Sequence, residues 1–187
     1  GPAILAKKPL NKLIPIKAPN ILYPSESTKL LKAWYLEQGE TPEIMTALLQ
    51  SGIHCPYDLH RRLQAMKAFL QSPSASALCA ANKRIDNLLK KQKNASGEID
   101  PSLLQADEEK QLFDLMKPLQ SKVAKCLQDK DYTTALEHVA TLRGPVDAFF
   151  EKVMVMDENP DMKKNRLALL SELARLCHCV MPIASLV

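Results

Sequence analysis

Near the end of the chain, Cys177-His178-Cys179 puts three metal-binding side chains in succession. Residues two apart on a helix point about 200° from one another, so both thiols cannot grip one ion, and no second ligand pair stands at zinc spacing. Two core cysteines flanking a surface histidine is the plainer expectation, with no metal site. His54, His60 and His138 have no evident nucleophile or carboxylate partner. The chain has neither a glycine-rich phosphate loop nor a nucleophile elbow. These residue types and spacings argue against catalysis by this chain.

Positive charge is a better lead. Asn82-Lys83-Arg84 and Lys90-Lys91 make residues 73–93 the most basic stretch of the sequence. Each of these side chains can meet a phosphate, and such contacts make affinity salt-dependent. The ordinary alternative is a solvated helix face. A second cluster lies in LRGPVDAFFEKVMVMDENPDMKKNRLALL, Leu142 to Leu170. If Gly144-Pro145 turns the chain, Arg143, Lys152, Lys163 and Arg166 gather near Asn165, whose amide can donate to and accept from a base edge. Phe149-Phe150 can offer a stacking surface for an unpaired base, although adjacent aromatics on an amphipathic helix commonly have one ring in the core. The plainer alternative for Arg166 and Asn165 is that they tie the acidic loop at Asp157 to the body of the protein. Met154 and Met156 are expected as core filling.

Composition sets bounds on these readings. The chain has 187 residues, 46% hydrophobic and 25% charged, enough for one sizeable core. Five glycines and few aromatics favour helices over sheet. Net charge is +4 and the pI is about 8.8, short of the value above ~9 that marks a nucleic-acid footprint. Five scattered cysteines suggest no disulfide framework and fit free thiols in a reducing compartment. No signal peptide opens the chain and no apolar run approaches the ~20 residues of a membrane span, so a cytoplasmic protein is expected. Gly1-Pro2 resembles a protease scar, which suggests a piece cut from something longer.

The elements follow from punctuation and period. Pro9, Pro15, Pro19 and Pro24, set between short apolar pairs, make residues 1–24 an extended linker or tail. Residues 25–187 read as one helical domain. Ser25 or Ser27 can start a helix that Gly39 stops. Thr41-Pro42 opens a second ending at Gly52, and Pro56 to Gln71 makes a third. The fourth runs from Pro73 to about Lys93, carrying Leu78, Ala81, Ile85, Leu88 and Leu89 at helical spacing. After an Asn94 turn and an Asp100-Pro101 turn, Asp107 caps a long helix with Leu112, Leu115, Met116, Leu119, Val123 and Leu127 inward and a kink at Pro118. Asp131 caps a helix that Gly144-Pro145 ends. Val146 to Met154 and a last helix opened by Asn159-Pro160 complete the set. No stretch sustains a period of two, so an all-α bundle of about seven or eight helices is expected.

Three of these stretches carry a resemblance. LRGPVDAFFEKVMVM…NRLALL is similar to the C-terminal region of the β subunit of bacterial glycyl-tRNA synthetase. ALCAANKRIDNLLKK (Ala77 to Lys91) and LLKAWYLEQG (Leu30 to Gly39) resemble upstream segments of the same region, in the same order. That region in turn resembles the helical anticodon-binding domain named for an Asp-Ala-Leu-Arg motif. The motif's Leu-Arg pair stands here as Met162-Lys163, which keeps the charge but loses arginine's planar fork. Met181-Pro182 stands where a small residue and an acid are expected.

The resemblance implies a non-catalytic module that helps a glycine–tRNA ligase bind tRNA(Gly), partnered by the rest of the β region and the α catalytic portion. ATP and Mg²⁺ would serve that α portion, with no cofactor in this chain. The alternative from another class is a helical interaction domain that packs within its parent protein and touches no RNA. Given glycine, ATP and Mg²⁺, this chain is expected to show no glycine-dependent pyrophosphate exchange; measurable exchange would contradict the module reading.

Overall fold

The computed structural model describes residues 32–50, 55–92, 97–183 and 186, with side chains omitted at 48–50 and 56. The proline-rich stretch, the Ser25/Ser27 helix start, the Gly52 stop and the Asn94 turn lie outside them. Residues 32–37 are helical, and seven α-helices follow: α1 Pro42–Gln50, α2 Pro56–Leu70, α3 Pro73–Lys90, α4 Asp107–Gln128, α5 Tyr132–Ala140, α6 Arg143–Lys152 and α7 Pro160–Cys177. A 3₁₀ turn, Pro101–Leu103, precedes α4. Among the described residues there is no strand, and the protein is all-α.

Local chemistry starts and stops the helices much as the sequence suggests. Prolines open α1, α2, α3 and α7, where a missing backbone donor costs no intrahelical bond. The Asn159 side chain accepts from the N–H groups of Asp161 and Met162 to cap α7. Asp131 accepts from the N–H of Thr134 to cap α5, and Asp100 accepts from that of Ser102 to cap the 3₁₀ turn. Gly39 closes the 32–37 helix with φ of 91°, a left-handed conformation natural to glycine.

Three starts and stops differ from expectation. The N-cap of α4 is Ala106, not Asp107, and the N–H of Ala106 donates to Glu109 Oε1 at 3.3 Å. Gly144-Pro145 does not end a helix: α5 stops at Ala140, and both residues sit in the first turn of α6. A proline there breaks no bond, because first-turn N–H groups have no intrahelical acceptor. The helix ladder starts when the N–H of Val146 donates to the carbonyl of Leu142 at 2.9 Å. The end of α4, which carried no glycine signal, is closed by Lys130 at φ 55°. The N–H of Asp131 donates to Cys126 O and that of Lys130 to Leu127 O, a Schellman closure.

The last helix is central. On α7, Leu167, Leu169, Leu170, Leu173, Leu176 and Cys177 are all buried, so apolar positions surround the helix as they must at the middle of a bundle. It packs on α3, α4, α5 and the 3₁₀ turn. Around it, α4 contributes Leu112, Met116, Leu119 and Val123; α2 contributes Leu59, Leu63, Met66 and Phe69. Leu115, expected inward, is exposed, as are Met154 and Met156. Val153 and Val155 take the inward positions of that loop instead.

α3 is the element on which the basic residues ride. Its inward stripe is Ala75, Leu78, Cys79, Ala81, Asn82 and Ile85, packed against α7 and α6. That packing orients the opposite stripe to solvent. Two neighbours reinforce the lower bundle: the Arg62 guanidinium donates to the carbonyls of Val180 and Cys179, sits 4.5 Å over the Tyr132 ring, and pairs with Asp58. The hydroxyl of Tyr132 donates to Asp58. The chain after α7 is thereby tied back to α2 and α5.

Left-handed backbone at a non-glycine residue costs ~1–2 kcal/mol. Lys130→Gly is therefore expected to raise stability by about 1 kcal/mol in urea unfolding, since the exposed side chain donates nothing to the fold. A loss of stability would show that Lys130 contributes a contact that outweighs its backbone conformation.

Candidate nucleic-acid interface

The sequence-predicted residues separate into an inner and an outer set. Asn82 is buried, and its Nδ2 donates to the carbonyl of Leu78 at 2.8 Å, one turn earlier on α3. Asn165 is buried too. Its Oδ1 accepts from the N–H of Asp100 at 2.7 Å and its Nδ2 donates to the carbonyl of Asp100 at 3.0 Å. The amide expected to read a base edge thus makes both of its complementary bonds to one backbone residue ahead of the 3₁₀ turn.

Among the described residues, Arg166 makes the most side-chain hydrogen bonds. Its Nε and Nη2 both donate to Glu109 Oε1, at 3.1 and 2.8 Å. Its Nη1 donates to the carbonyl of Met154 at 2.7 Å and to Asp157 Oδ2 at 2.9 Å. Arg166 is 7% exposed and Glu109 fully buried, so this ion pair is sealed from water. Burial works against the guanidinium's charge, but the hydrogen bonds and charges of Glu109 and Asp157 outweigh it and raise its pKa. The N–H of Asn159, with lesser help from Arg166, holds Asp157 below the usual carboxylate range. Arg166 and Asn165 tie the acidic loop and the 3₁₀ turn to the bundle, the plainer of the two expectations.

Of the aromatic pair, Phe149 is fully buried and Phe150 half-buried, their rings edge-to-face at 5.5 Å. Phe150 meets α3: the guanidinium carbon of Arg84 lies 4.4 Å from its ring centroid. Lys83, Arg84, Asn87 and Lys90 on α3, and Lys91 at its C-cap, are all exposed. Their spacing of three and four residues makes them one stripe about 12 Å long. Among the described residues none of its four cations is in an ion pair. Beyond the end of α3, Gln92 shares a cleft of about 210 Å³ with Pro160, Lys163, Lys164 and Leu167 at the start of α7. Lys163 and Lys164 thus lie at the start of α7, beside the residue that follows the end of α3.

Arg143 and Lys152 lie on α6. They stand at opposite ends of α6, about 14 Å apart along its axis, and Arg143 Nε lies 3.9 Å from Asp147 Oδ2. The turn expected at Gly144-Pro145 is instead the start of a helix, and α6 packs on α4 and α3. Sequence reasoning also passed over Asn87 and Glu109. Asn87 was legible from the helical spacing that picks out Lys83 and Lys90; Glu109 sits 57 residues from Arg166 and carried no such signal.

Of the cysteine–histidine triplet, Cys177 is buried, whereas Cys179 and the histidine expected at the surface are both half-buried. Burial pushes the Cys177 thiol up to about 12 and Cys179 up to about 11. His178 Nδ1 accepts from the N–H of Ile183 at 3.0 Å, and burial holds its imidazole below the ordinary value. Among the described residues no three His, Cys, Asp or Glu side chains are placed to hold a metal ion, and no helix is long and apolar enough to cross a membrane.

The sequence that folds into this bundle matches a known family. The family described as "DALR anticodon binding domain" matches residues 78–182, from within α3 to beyond the end of α7. The chain belongs to that family. Its curated relatives include the "Glycine--tRNA ligase beta subunit" of Neisseria meningitidis serogroup C (strain 053442), 45% identical over 166 residues, 87% of this chain and 24% of the relative. The protein of the same name from Coxiella burnetii (strain RSA 493 / Nine Mile phase I) is 41% identical over 167 residues, 86% of this chain and 24% of the relative. That from Neisseria gonorrhoeae (strain NCCP11945) is 43% identical over 166 residues, again 24% of the relative. The chain thus spans about a quarter of the length of these relatives.

Removing one partner of a buried ion pair leaves the other uncompensated, at a cost of ~3–5 kcal/mol. Arg166→Ala is expected to lower unfolding free energy by about that amount, and Arg166→Met with Glu109→Leu to recover most of it. An unchanged melting temperature with RNA affinity lost would instead make Arg166 a recognition residue.

Proposed function

We propose that this DALR domain is the non-catalytic tRNA-binding module of a cytoplasmic glycine–tRNA ligase, and that it presents the outer stripe of α3 to the RNA. The observation that carries the proposal is Lys83, Arg84, Lys90 and Lys91 standing exposed at helical spacing, with no acid paired to them among the described residues. A polyanion that neutralises such a stripe releases counterions, which gives both affinity and salt dependence. The family match supports tRNA as the class of RNA, and the relatives' name favours tRNA(Gly) as the cognate. The α catalytic portion and the rest of the β region would then be its protein partners. ATP and Mg²⁺ would be used there, and this chain needs no cofactor for its part.

A protein contact is supported by a separate observation. Met154 is 70% exposed and Met156 41%, on a loop whose alternate positions, Val153 and Val155, hold the core. Two exposed thioethers beside a sealed ion pair suit docking on a neighbouring part of the parent protein. The two surfaces are compatible, and the interaction-only reading differs from the proposal in denying the RNA contact.

Gln replacement of Lys83, Arg84, Lys90 and Lys91 together is expected to weaken tRNA binding and flatten its salt dependence by ~0.7 for each phosphate contact on a single strand. The fold should tolerate the change, because exposed unpaired charges contribute little to stability. Equal affinity and an equal salt slope for the variant would remove α3 from the interface; no binding of tRNA by the unaltered chain would favour the interaction-only reading.

A further inference from the structure

We propose that Arg84, seated over Phe150, is a platform on which an unpaired base of the bound RNA stacks; this rests on the RNA-binding reading above and specifies one contact within it. The packing of α3 on α6 brings the two side chains together from 66 positions apart in sequence, with the guanidinium carbon 4.4 Å from the ring centroid. Phe149, wholly buried and edge-to-face with its neighbour, anchors α6 so that the Phe150 ring meets α3. The ring covers one side of the guanidinium, and the residue as a whole remains exposed.

Such an arrangement has a specific chemistry. Guanidinium is planar, delocalised and weakly hydrated, so it stacks on π systems where an ammonium does not. A ring on one side restricts the side chain's rotamers before any ligand arrives, which lowers the ordering cost of binding. The open side then suits the face of a nucleobase, with cation–π attraction adding to the stack. Lys83, adjacent in sequence, and Lys90 and Lys91, about two turns further along the same stripe, place cations for the flanking phosphates. Only a base outside a duplex exposes a face, so the platform discriminates loops from paired stems. Phe150 acts through Arg84 and is a positioning residue.

The test uses an RNA stem-loop carrying 2-aminopurine in its loop, with a fully paired duplex as control. Arg84→Lys keeps the charge and removes the planar surface. It is expected to weaken stem-loop binding about tenfold, within the range of one stacked base, while leaving duplex affinity and the salt slope unchanged. Phe150→Leu should do the same, and Phe150→Tyr should retain the parent affinity, a rescue that a purely core role for the ring would not require. Fluorescence of the analogue should be quenched on binding the parent chain and not on binding Arg84→Lys. If Arg84→Lys binds and quenches like the parent, while Gln at Lys83, Lys90 and Lys91 still weakens binding, the platform is wrong and the RNA reading stands. If the unaltered chain binds neither RNA, the RNA reading fails and the platform with it.

Discussion

A charge cannot be left alone in a protein interior, and the Arg166–Glu109 pair shows how much structure that constraint can organise. Glu109 is wholly buried in the first turn of α4, and Arg166 reaches it from the second turn of α7. The same guanidinium takes the Met154 carbonyl and the Asp157 carboxylate, and the same Glu109 oxygen accepts from the N–H of Ala106. One cluster therefore sets where α4 begins, how the 153–157 segment crosses, and the rotation of α7 about its axis. Asn165, one residue earlier, clamps the backbone of Asp100 and so fixes the 3₁₀ turn to the same face.

With α7 fixed, its apolar remainder determines the rest. Leucines on several sides of α7 leave α3, α4 and α5 positions around it, and α3 docks through Leu78, Ala81 and Ile85. The outward direction of Lys83, Arg84, Asn87, Lys90 and Lys91 is a consequence of that docking. Two classes of polar side chain result. Asn82, Asn165 and Arg166 spend their hydrogen bonds inside the fold, and the α3 stripe has spent none on an acid among the described residues. Arg84 stands between the classes, braced by Phe150 and open to solvent.

Local signals in the sequence were readable because their physics is local. Prolines at helix starts, the Asp131 and Asn159 caps, the glycine at φ 91° and the absence of a period of two each need only a few neighbouring residues. The failures have the opposite character. Gly144-Pro145 suits a helix start as well as a stop, and only the packing of α6 on α4 decides between them. Leu115 lost its place because the stripe 112, 116, 119, 123 already fills the inward face of α4. Arg166 looked like a recognition residue because its partner lies on another helix, 57 positions away. Asn82 was a different case, since it lies four residues after Leu78 and three before Ile85, inside the apolar stripe. Its burial was legible in the spacing, and attention to the adjacent Lys83-Arg84 obscured it.

On the proposed reading, RNA meets the outer stripe of α3 and leaves the polar cluster of α7 untouched. Lysine footprinting of the whole chain tests it most directly: amine acetylation with and without saturating tRNA, read residue by residue by mass spectrometry. Lys83, Lys90 and Lys91 are expected to lose reactivity on binding. Lys110, Lys122 and Lys125, exposed on α4, should react as before. Unchanged reactivity at Lys83, Lys90 and Lys91 with tRNA demonstrably bound would contradict it.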